Sequence, residues 1–363
     1  MRLVSVVGAR PQFVKAAVVS RALLEAGIEE RLLHTGQHYD SLMSDVFFSE
    51  FNLPVPYRNL GVGSSSHAVQ TGEMMIRLEP VIDQCEPDGI IVYGDTNSTL
   101  AASLVAAKLN LPIIHVEAGL RSFDRSMPEE INRLVADRLG DLLLAPTADA
   151  ATQLRSEGVT AAIEVVGDVM VDLALETLRR LPCEPAVLRR FQLASKSFGV
   201  ATIHRASNTS DIAVFARLIA GLRATPLTIV FPVHPRTLGL CKTLNVGSGD
   251  NIITCEPLGY ADMLALQAHA RIVLTDSGGI QKEAVTVGTP VVTLRDRTEW
   301  TQTLDEGWNV IAGDKPESIS RAAQRQPPKR RIYPYGQGDS ARLIVDAIRT
   351  HVPAAKRVAT CAS

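Results

Sequence analysis

Short apolar runs rich in Val, Ile and Leu alternate along the chain with longer segments in which apolar residues recur at helical spacing. This alternation is typical of a parallel β-sheet covered by helices, so the pattern predicts an α/β fold. In the first half the apolar runs are residues 3–7, 31–34, 89–93, 113–116 and 142–145, and helices are expected over 12–26 and 98–109.

The same alternation begins again in the second half of the chain. Its apolar runs are residues 198–203, 227–231, 251–255, 271–275, 290–294 and 309–311. Two Rossmann-like domains are therefore predicted, over residues 1–167 and 168–338, with the boundary near Gly167. Residues 339–363 are expected to form a packed helix from about Ser340 to Thr350, followed by a tail.

Composition and charge exclude several classes of function. The 37 basic and 39 acidic residues leave a net charge of −2, so no broad positive field attracts nucleic acid or an anionic membrane. No apolar stretch approaches the ~20 residues that span a bilayer, and the first apolar run is too short for a signal peptide. We therefore expect a soluble, cytoplasmic protein. The five cysteines are scattered without a Cys-x-x-Cys pair, so neither a disulfide framework nor a structural zinc is expected.

Polar side chains follow almost every predicted strand. Ligands of open α/β sheets bind beyond the carboxyl ends of the strands, so these side chains predict a polar cleft between the two domains. In the first half they include Arg10, Gln37, His38, Asp95 and Glu117, with Lys15 one turn after Arg10, and in the second half His204, His234, Ser277 and Arg295.

The turn 276–279, Asp-Ser-Gly-Gly, precedes a predicted helix over 280–287. Free amides and the positive end of a helix dipole attract phosphate, and glycines allow close approach. A capping Ser277 in a tight turn that needs no ligand is the alternative. Two glycines at a helix start cost helix propensity, which favours phosphate binding. Glu283, further into the helix, could receive both hydroxyls of a ribose. Neither a dinucleotide fingerprint nor a P-loop occurs.

Several carboxylates and histidines are candidates for acid-base chemistry. Asp95 and Glu117 each follow a strand directly; Asp95 could instead cap the next helix, whereas Glu117 has no obvious capping role. Glu129 and Arg133 share a helix face, as catalytic groups or as a surface ion pair. Single histidines such as His204 and His234 are usually satisfied polar residues, but the two occupy equivalent positions after strands.

Eight motifs, in order and nearly end to end, resemble those of the non-hydrolysing UDP-N-acetylglucosamine 2-epimerases. They are GARPQFVK (8–15), HTGQH (34–38), YGDTNSTLA (93–101), HVEAGLRS (115–122), MPEEINR (127–133), VGDVMVD (166–172), VHPR (233–236) and TDSGGIQKEA (275–284). The resemblance implies two Rossmann-like domains in a GT-B-like arrangement, with the active site in the interdomain cleft and the C-terminal helix packing back on the first domain. It also implies a homodimer and no metal or nicotinamide cofactor.

The resemblance implies an isomerase that interconverts UDP-N-acetylglucosamine and UDP-N-acetylmannosamine through elimination of UDP to 2-acetamidoglucal and re-addition. It places Lys15, Asp95, Glu117, Glu129 and Arg133 around the sugar, leaving open which carboxylate is base and which is acid. It assigns the diphosphate to Arg10, His204, Ser277, Gly278 and Gly279, the ribose to Glu283 and the uracil position to Met263. Gln37, His38, His234 and Arg295 are further expected substrate-binding residues, and His204 is counted with the catalytic residues.

Some positions depart from the family pattern. Ser207 replaces a carboxylate, Trp300 stands where several members have Arg, and residues 39–40 lack the usual glutamine of the activator pocket. The sequences TEW (298–300) and GARPQF (8–13) are closer to the subfamily acting on UDP-2,3-diacetamido-2,3-dideoxyglucuronate. The sugar is therefore open between these two substrates. A GT-B glycosyltransferase and a catalytically silent sugar-nucleotide sensor are the rival classes.

Overall fold

The computed structural model describes residues 1–37 and 53–353, and the chain divides into two compact units. Unit 1 comprises the described parts of Met1–Asp172 and Tyr335–Ser363, and unit 2 comprises Leu173–Pro334. The division after Asp172 falls a few residues beyond the expected boundary near Gly167. Each unit contains one parallel sheet with helices, which confirms the predicted α/β fold.

The sheet of unit 1 has the order β3-β2-β1-β4-β5-β6-β7 among the described residues, and all neighbouring strands in it run parallel. The central strands are buried on both faces, which explains their continuous apolar runs. The strands are β1 Arg2–Val7, β2 Glu29–His34, β3 Arg58–Asn59, β4 Gly89–Tyr93, β5 Ile113–Val116, β6 Leu142–Ala145 and β7 Ala162–Val165.

The helices of the first part of the chain are α1 Arg10–Glu25, α2 His67–Cys85, α3 Asn97–Lys108, α4 Pro128–Leu139, α5 Ala148–Ser156 and α6 Val169–Arg180, within which the division falls. Helix α2 was not predicted; it contains Pro80, and proline disfavours the interior of a helix. Its buried residues Gln70, Met74, Leu78 and Ile82 recur every fourth position and define the face that packs on the core.

Unit 2 contains a parallel sheet of order β10-β9-β8-β11-β12-β13. Its strands are β8 Phe198–Thr202, β9 Thr228–Pro232, β10 Ile252–Cys255, β11 Ile272–Thr275, β12 Val291–Thr293 and β13 Asn309–Ile311. Its helices are α7 Ala186–Arg190, α8 Ala206–Thr209, α9 Ile212–Arg223, α10 Leu238–Thr243, α11 Tyr260–His269, α12 Gly278–Val287 and α13 Pro316–Ala323. In the described parts of the chain, no helix combines the length and apolarity needed to cross a bilayer.

The last described helix, α14 (Ser340–His351), belongs to unit 1 and packs against α1. The carboxylate of Asp172 accepts hydrogen bonds from the amides of Ser340 (3.1 Å) and Ala341 (2.7 Å). These amides have no partner within a helix, so Asp172 caps α14 from another element.

In each sheet the strand order reverses once, between β1 and β4 in unit 1 and between β8 and β11 in unit 2. Connections leave such neighbouring strands in opposite directions, which opens a crevice at their carboxyl ends, and ligands of doubly wound folds bind there. The turns after these four strands contain the candidate residues Asp95, His204 and Ser277. The topology therefore places one candidate site at the carboxyl edge of each sheet.

Candidate active site

Asp95 follows β4 and forms an ion pair with Arg133 of α4. The sequence allowed Asp95 to cap the following helix, but Thr96 occupies that position and its hydroxyl accepts the Thr99 amide. Asn132 donates to the carbonyl of Asp95 at 2.9 Å and so fixes the turn itself. The Asp95 carboxylate is therefore directed to a cation of α4 and not to the helix start.

Lys15 of α1 and Glu117, which follows β5, form a second ion pair. The two side chains retain only 12% and 13% of their exposure. Glu117 has φ of 71°, a left-handed conformation that is uncommon outside glycine and is concentrated at functional sites. A Cβ on Gly94 would lie 3.2 Å from Oε2 of Glu117 and 3.5 Å from Nζ of Lys15, so this ion pair sits directly over the turn that precedes Asp95.

Glu129 and Arg133 do not form the surface ion pair that their spacing allowed. Arg133 contacts Glu130 at 3.2 Å and Asp95, whereas Glu129 is exposed at the first turn of α4. Glu130 is buried and accepts the amides of Ser122 (2.8 Å) and Phe123 (3.1 Å). Glu130 thus orients Arg133. Sequence spacing alone assigned this partner to the adjacent Glu129.

Gln12 connects the turn after β1 to the end of β4. Its Oε1 accepts the amides of Gly8 (2.8 Å) and Ala9 (3.1 Å), and its Nε2 donates to the carbonyl of Tyr93 at 2.9 Å. Gln12 is buried, and no hydrophobic pattern indicated this role. It orients the first turn of α1, which precedes Lys15.

Three further predicted residues lie around β1 and β2. The side-chain oxygen of Gln37 accepts the amide (3.0 Å) and the hydroxyl (2.7 Å) of Ser98, so it holds the start of α3. Arg10 begins α1, but its side chain lies outside the described part of the structure. His38 also lies outside the described residues.

In unit 2 the buried Asp276 joins the turn after β11 to the turn after β8. Its carboxylate accepts the amides of His204 and Arg205, each at 2.9 Å, and Nδ2 of Asn208 at 3.1 Å. These donors satisfy the carboxylate of Asp276, whose side chain has no solvent exposure. Asp276 therefore sets the position of His204 relative to the turn that follows it.

Helix α12 begins at the Ser-Gly-Gly turn, and within the described structure Ser277 makes no side-chain capping bond to it. The capping alternative is therefore not observed, and the first-turn amides remain available to an anion. A Cβ on Gly279 would meet only Oγ of Ser277, at 3.9 Å, so the approach to this residue is open. A Cβ on Gly278 would lie 2.2 Å from Nε1 of Trp300, so only glycine fits beneath that indole.

Trp300 lies in the loop after β12 and contacts the Ser-Gly-Gly turn at the start of α12. Nζ of Lys282 lies 3.8 Å from the centroid of its ring, a cation–π geometry. The hydroxyl of Thr298 accepts the Trp300 amide at 3.1 Å and donates to Gln281 at 2.6 Å. Trp300, one of the positions that differ from the family pattern, therefore packs directly against the start of α12.

The rings of His204 and His234 stack with centroids 5.5 Å apart. Nδ1 of His234 accepts the Arg236 amide at 3.1 Å, so this ring caps the short helix Pro235–Thr237. Burial lowers the pKa of His204, and the charges of Arg205 and Arg236 lower it further against the opposing effect of Asp276. The lowered pKa favours the neutral ring of His204 at neutral pH.

The remaining predicted residues of unit 2 are Glu283, Met263 and Arg295. Glu283 accepts a hydrogen bond from Nε2 of Gln267 at 3.0 Å. Met263 is half-buried against the core that covers one face of the sheet. Arg295 forms two hydrogen bonds with Glu299, at 2.9 and 2.7 Å, which lower the pKa of that carboxyl. Arg295 is thus engaged within its own unit.

The sequence matches the family described as UDP-N-acetylglucosamine 2-epimerase over residues 21–349. A UDP-N-acetylglucosamine 2-epimerase homolog of Methanococcus maripaludis is 42% identical over 96% of this chain and 99% of the relative. The UDP-2,3-diacetamido-2,3-dideoxy-D-glucuronate 2-epimerase of Pseudomonas aeruginosa is 41% identical over 94% of this chain and 98% of the relative.

Solved structures show the same architecture. UDP-GlcNAc 2-epimerase of Methanocaldococcus jannaschii, in complex with UDP-GlcNAc and UDP, is 39% identical with a TM-score of 0.82 over 96% of this chain and all of that chain. MurG of Acinetobacter baumannii, 13% identical with a TM-score of 0.57 over 96% of this chain and 99% of that chain, is similar in fold alone. The fold class is GT-B-like α/β. This chain belongs to the UDP-N-acetylglucosamine 2-epimerase family, as its motifs predicted, and is a non-hydrolysing UDP-sugar 2-epimerase, an isomerase.

We predict that Glu130→Gln destabilises the protein by about 1–3 kcal/mol at pH 7, because the buried, charged acceptor of the Ser122 and Phe123 amides is lost. Burial raises the pKa of Glu130, but bonds from Ser122, Phe123 and Arg133 outweigh it and hold the pKa below its ordinary value. A depressed pKa stabilises the fold above the unfolded value of about 4.3, and this stabilisation is lost as pH falls. Urea unfolding at pH 7 and below pH ~4 should show the difference from wild type shrinking on acidification.

The matched control is the adjacent exposed carboxylate. Glu129→Gln should leave the unfolding free energy unchanged at either pH, because the side chain is solvated in both states. Equal destabilisation by the two variants would contradict the role assigned to Glu130.

Proposed function

We propose that this epimerase interconverts UDP-N-acetylglucosamine and UDP-N-acetylmannosamine. The observation that supports it most strongly is the pairing of two carboxylates with two cations at one end of the unit 1 sheet, Asp95 with Arg133 and Glu117 with Lys15. Relatives from Methanococcus maripaludis and Methanocaldococcus jannaschii, 38% and 39% identical, have the name UDP-N-acetylglucosamine 2-epimerase. The exposed Glu129 would be the third carboxylate around the sugar.

The proposed reaction begins with elimination. The hydrogen on the second sugar carbon is not acidic while the anomeric carbon is saturated, and departure of UDP provides the activation. A carboxylate takes that proton, the carbon–hydrogen electrons form the double bond of 2-acetamidoglucal, and the anomeric carbon–oxygen electrons leave with UDP. A proton then adds to the second carbon on the opposite face, and a diphosphate oxygen of UDP re-forms the anomeric bond. Asp95, Glu117 and Glu129 are the candidate acid and base, and the assignment among them is left open.

We propose that UDP is held by the carboxyl edge of the unit 2 sheet. Amides at the start of α12 and the hydroxyl of Ser277 would bind the diphosphate, with a hydrogen bond from the neutral ring of His204. Glu283 would bind the ribose hydroxyls and Met263 would lie at the uracil. From the resemblance, Arg10, Gln37, His38, His234 and Arg295 remain proposed substrate contacts.

A second candidate substrate is UDP-2,3-diacetamido-2,3-dideoxyglucuronate. The observation that favours it is Trp300, which stands where several members of the family have Arg and packs over Gly278 beside Lys282. The Pseudomonas aeruginosa enzyme of that name is 41% identical to this chain. A changed side chain beside the proposed diphosphate-binding turn would alter which sugar is accepted.

The expected assembly is a homodimer. Val69 and Ile76 are exposed and lie seven residues apart on one face of α2, which supports a contact between copies through that helix. Sedimentation equilibrium tests this, and a particle mass of one chain would contradict it.

We predict that UDP at 100 times its dissociation constant stabilises the protein by about 2.7 kcal/mol through binding to the folded state. Ser277→Ala and His204→Gln should reduce the thermal shift at a fixed UDP concentration, because each removes a diphosphate contact. The control is Ser320→Ala, which removes a surface hydrogen bond to Ala224 in the same unit. An equal shift in all three variants would contradict the UDP site.

We predict that proton NMR of UDP-N-acetylglucosamine incubated with the enzyme shows anomeric signals of the manno product. Asp95→Asn and Glu117→Gln should lower turnover while leaving UDP affinity intact, because these side chains serve the sugar. The same assay with the diacetamido uronate decides between the two substrates. Sugar transfer to an acceptor without isomerisation of either donor would contradict the proposal.

A further inference from the structure

A chain of four ionisable side chains lies within unit 1 beside the two ion pairs of the sheet edge. Nδ1 of His115 in β5 lies 2.7 Å from Oδ1 of Asp137 in α4, and Arg121 contacts Oδ2 of Asp137 at 2.7 Å. Arg121 also forms hydrogen bonds of 2.8 and 2.6 Å with Glu157. The side chains of His115, Asp137 and Arg121 are almost completely buried, with 0%, 1% and 2% exposure.

This cluster reaches both turns that present the reacting carboxylates. Nε2 of His115 lies 2.7 Å from the carbonyl of Gly94, the residue before Asp95. Oδ2 of Asp137 accepts the amide of Gly119, two residues after Glu117, at 3.1 Å. One histidine–aspartate pair therefore contacts the backbone on one side of each carboxylate.

Each ring nitrogen of His115 faces an acceptor, Nδ1 the carboxylate of Asp137 and Nε2 the carbonyl of Gly94. A carbonyl oxygen and an ionised carboxylate only accept hydrogen bonds. Asp137 is ionised at neutral pH: burial raises its pKa, but the charge of His115 and bonds from His115 and Arg121 outweigh burial and lower it. The contact between His115 and the ionised carboxylate of Asp137 is therefore charge-assisted, and such contacts are shorter and stronger than those between neutral groups.

The turn after β5 needs such a restraint. Glu117 and Gly119 have φ of 71° and 83°, so two left-handed residues lie within three positions. A left-handed conformation at a non-glycine residue costs of order 1–3 kcal/mol and persists only where the surroundings enforce it. A Cβ on Gly119 would lie 2.4 Å from the carbonyl of Ala150, so the turn is also pressed against α5.

We propose that His115 and Asp137 are positioning residues of this epimerase, which hold the turns of Asp95 and Glu117 in their reactive arrangement. The inference rests on the proposed function, since it assigns the sugar chemistry to those two carboxylates. A purely structural ion pair would stabilise the unit without affecting turnover in the folded protein. The two roles therefore predict different turnover numbers for a folded variant that lacks the pair.

The test compares Asp137→Asn with Asp141→Asn. Asp141 accepts the amide of Ile113 at 2.9 Å and lies at the opposite end of β5, so the same substitution removes a similar contact away from the site. Asp137→Asn should lower kcat about a hundredfold, the cost of a displacement of roughly 1 Å, with the dissociation constant of UDP unchanged. Asp141→Asn should leave both quantities unchanged.

Hydrogen exchange provides a readout that needs no turnover. In folded Asp137→Asn, the amides of residues 117–119 and 94–95 should exchange faster than in wild type, while β8 to β13 keep their protection. His115→Gln, which keeps a hydrogen-bond donor but loses the ring that bridges Asp137 and Gly94, replaces Asp137→Asn if that variant does not fold and should give the same pattern.

Wild-type kcat in folded Asp137→Asn, or unchanged exchange in these two turns, would overturn the positioning role. Inactive wild type with both donor sugars would instead overturn the proposed function, and the exchange comparison would still decide whether Asp137 holds the turns.

Discussion

Backbone amides in the turns after buried parallel strands are the groups on which this structure depends. Such a turn leaves the ladder of the sheet, so its amides need other hydrogen-bond partners. Buried polar side chains accept them instead. Gln12 accepts the amides of Gly8 and Ala9, Glu130 accepts those of Ser122 and Phe123, and Asp276 accepts those of His204 and Arg205.

These side chains fix the backbone of irregular turns, as the hydrogen bonds of a ladder fix a strand. A loop fixed by charge-assisted bonds can hold a left-handed Glu117 over Gly94, and it can keep the first turn of α12 open towards an anion. In both sheets such an acceptor lies where the strand order reverses, Gln12 between β1 and β4 and Asp276 between β8 and β11. A doubly wound fold thus presents reactive side chains from turns without making those turns mobile.

The sequence predicted most of the strands and the polar turns that follow them, because apolar runs and strand ends are local features, but it missed the short β3, which has no apolar run. That Lys15, Asp95, Glu117 and Arg133 surround a sugar stays a prediction. The sequence did not separate Glu130 from Glu129. Both fit the first turn of α4, and only the packing of that helix on the sheet decides which one is buried. Helix α2 was missed; it contains Pro80, a residue that disfavours helix interiors. The acceptor roles of Gln12 and Asp276 were missed because they depend on contacts between segments distant in sequence. Outside the described residues, His38 stays a prediction.

The central claim is that carboxylates at the edge of the unit 1 sheet remove the hydrogen of the second sugar carbon and that a different proton returns on the opposite face. Running the reaction in deuterium oxide and examining that carbon by NMR tests it most directly. The account predicts that the epimerised product has deuterium there, because the returning proton comes from a group in exchange with solvent. A product that retains the original hydrogen at that carbon would contradict the elimination route and the role assigned to Asp95, Glu117 and Glu129.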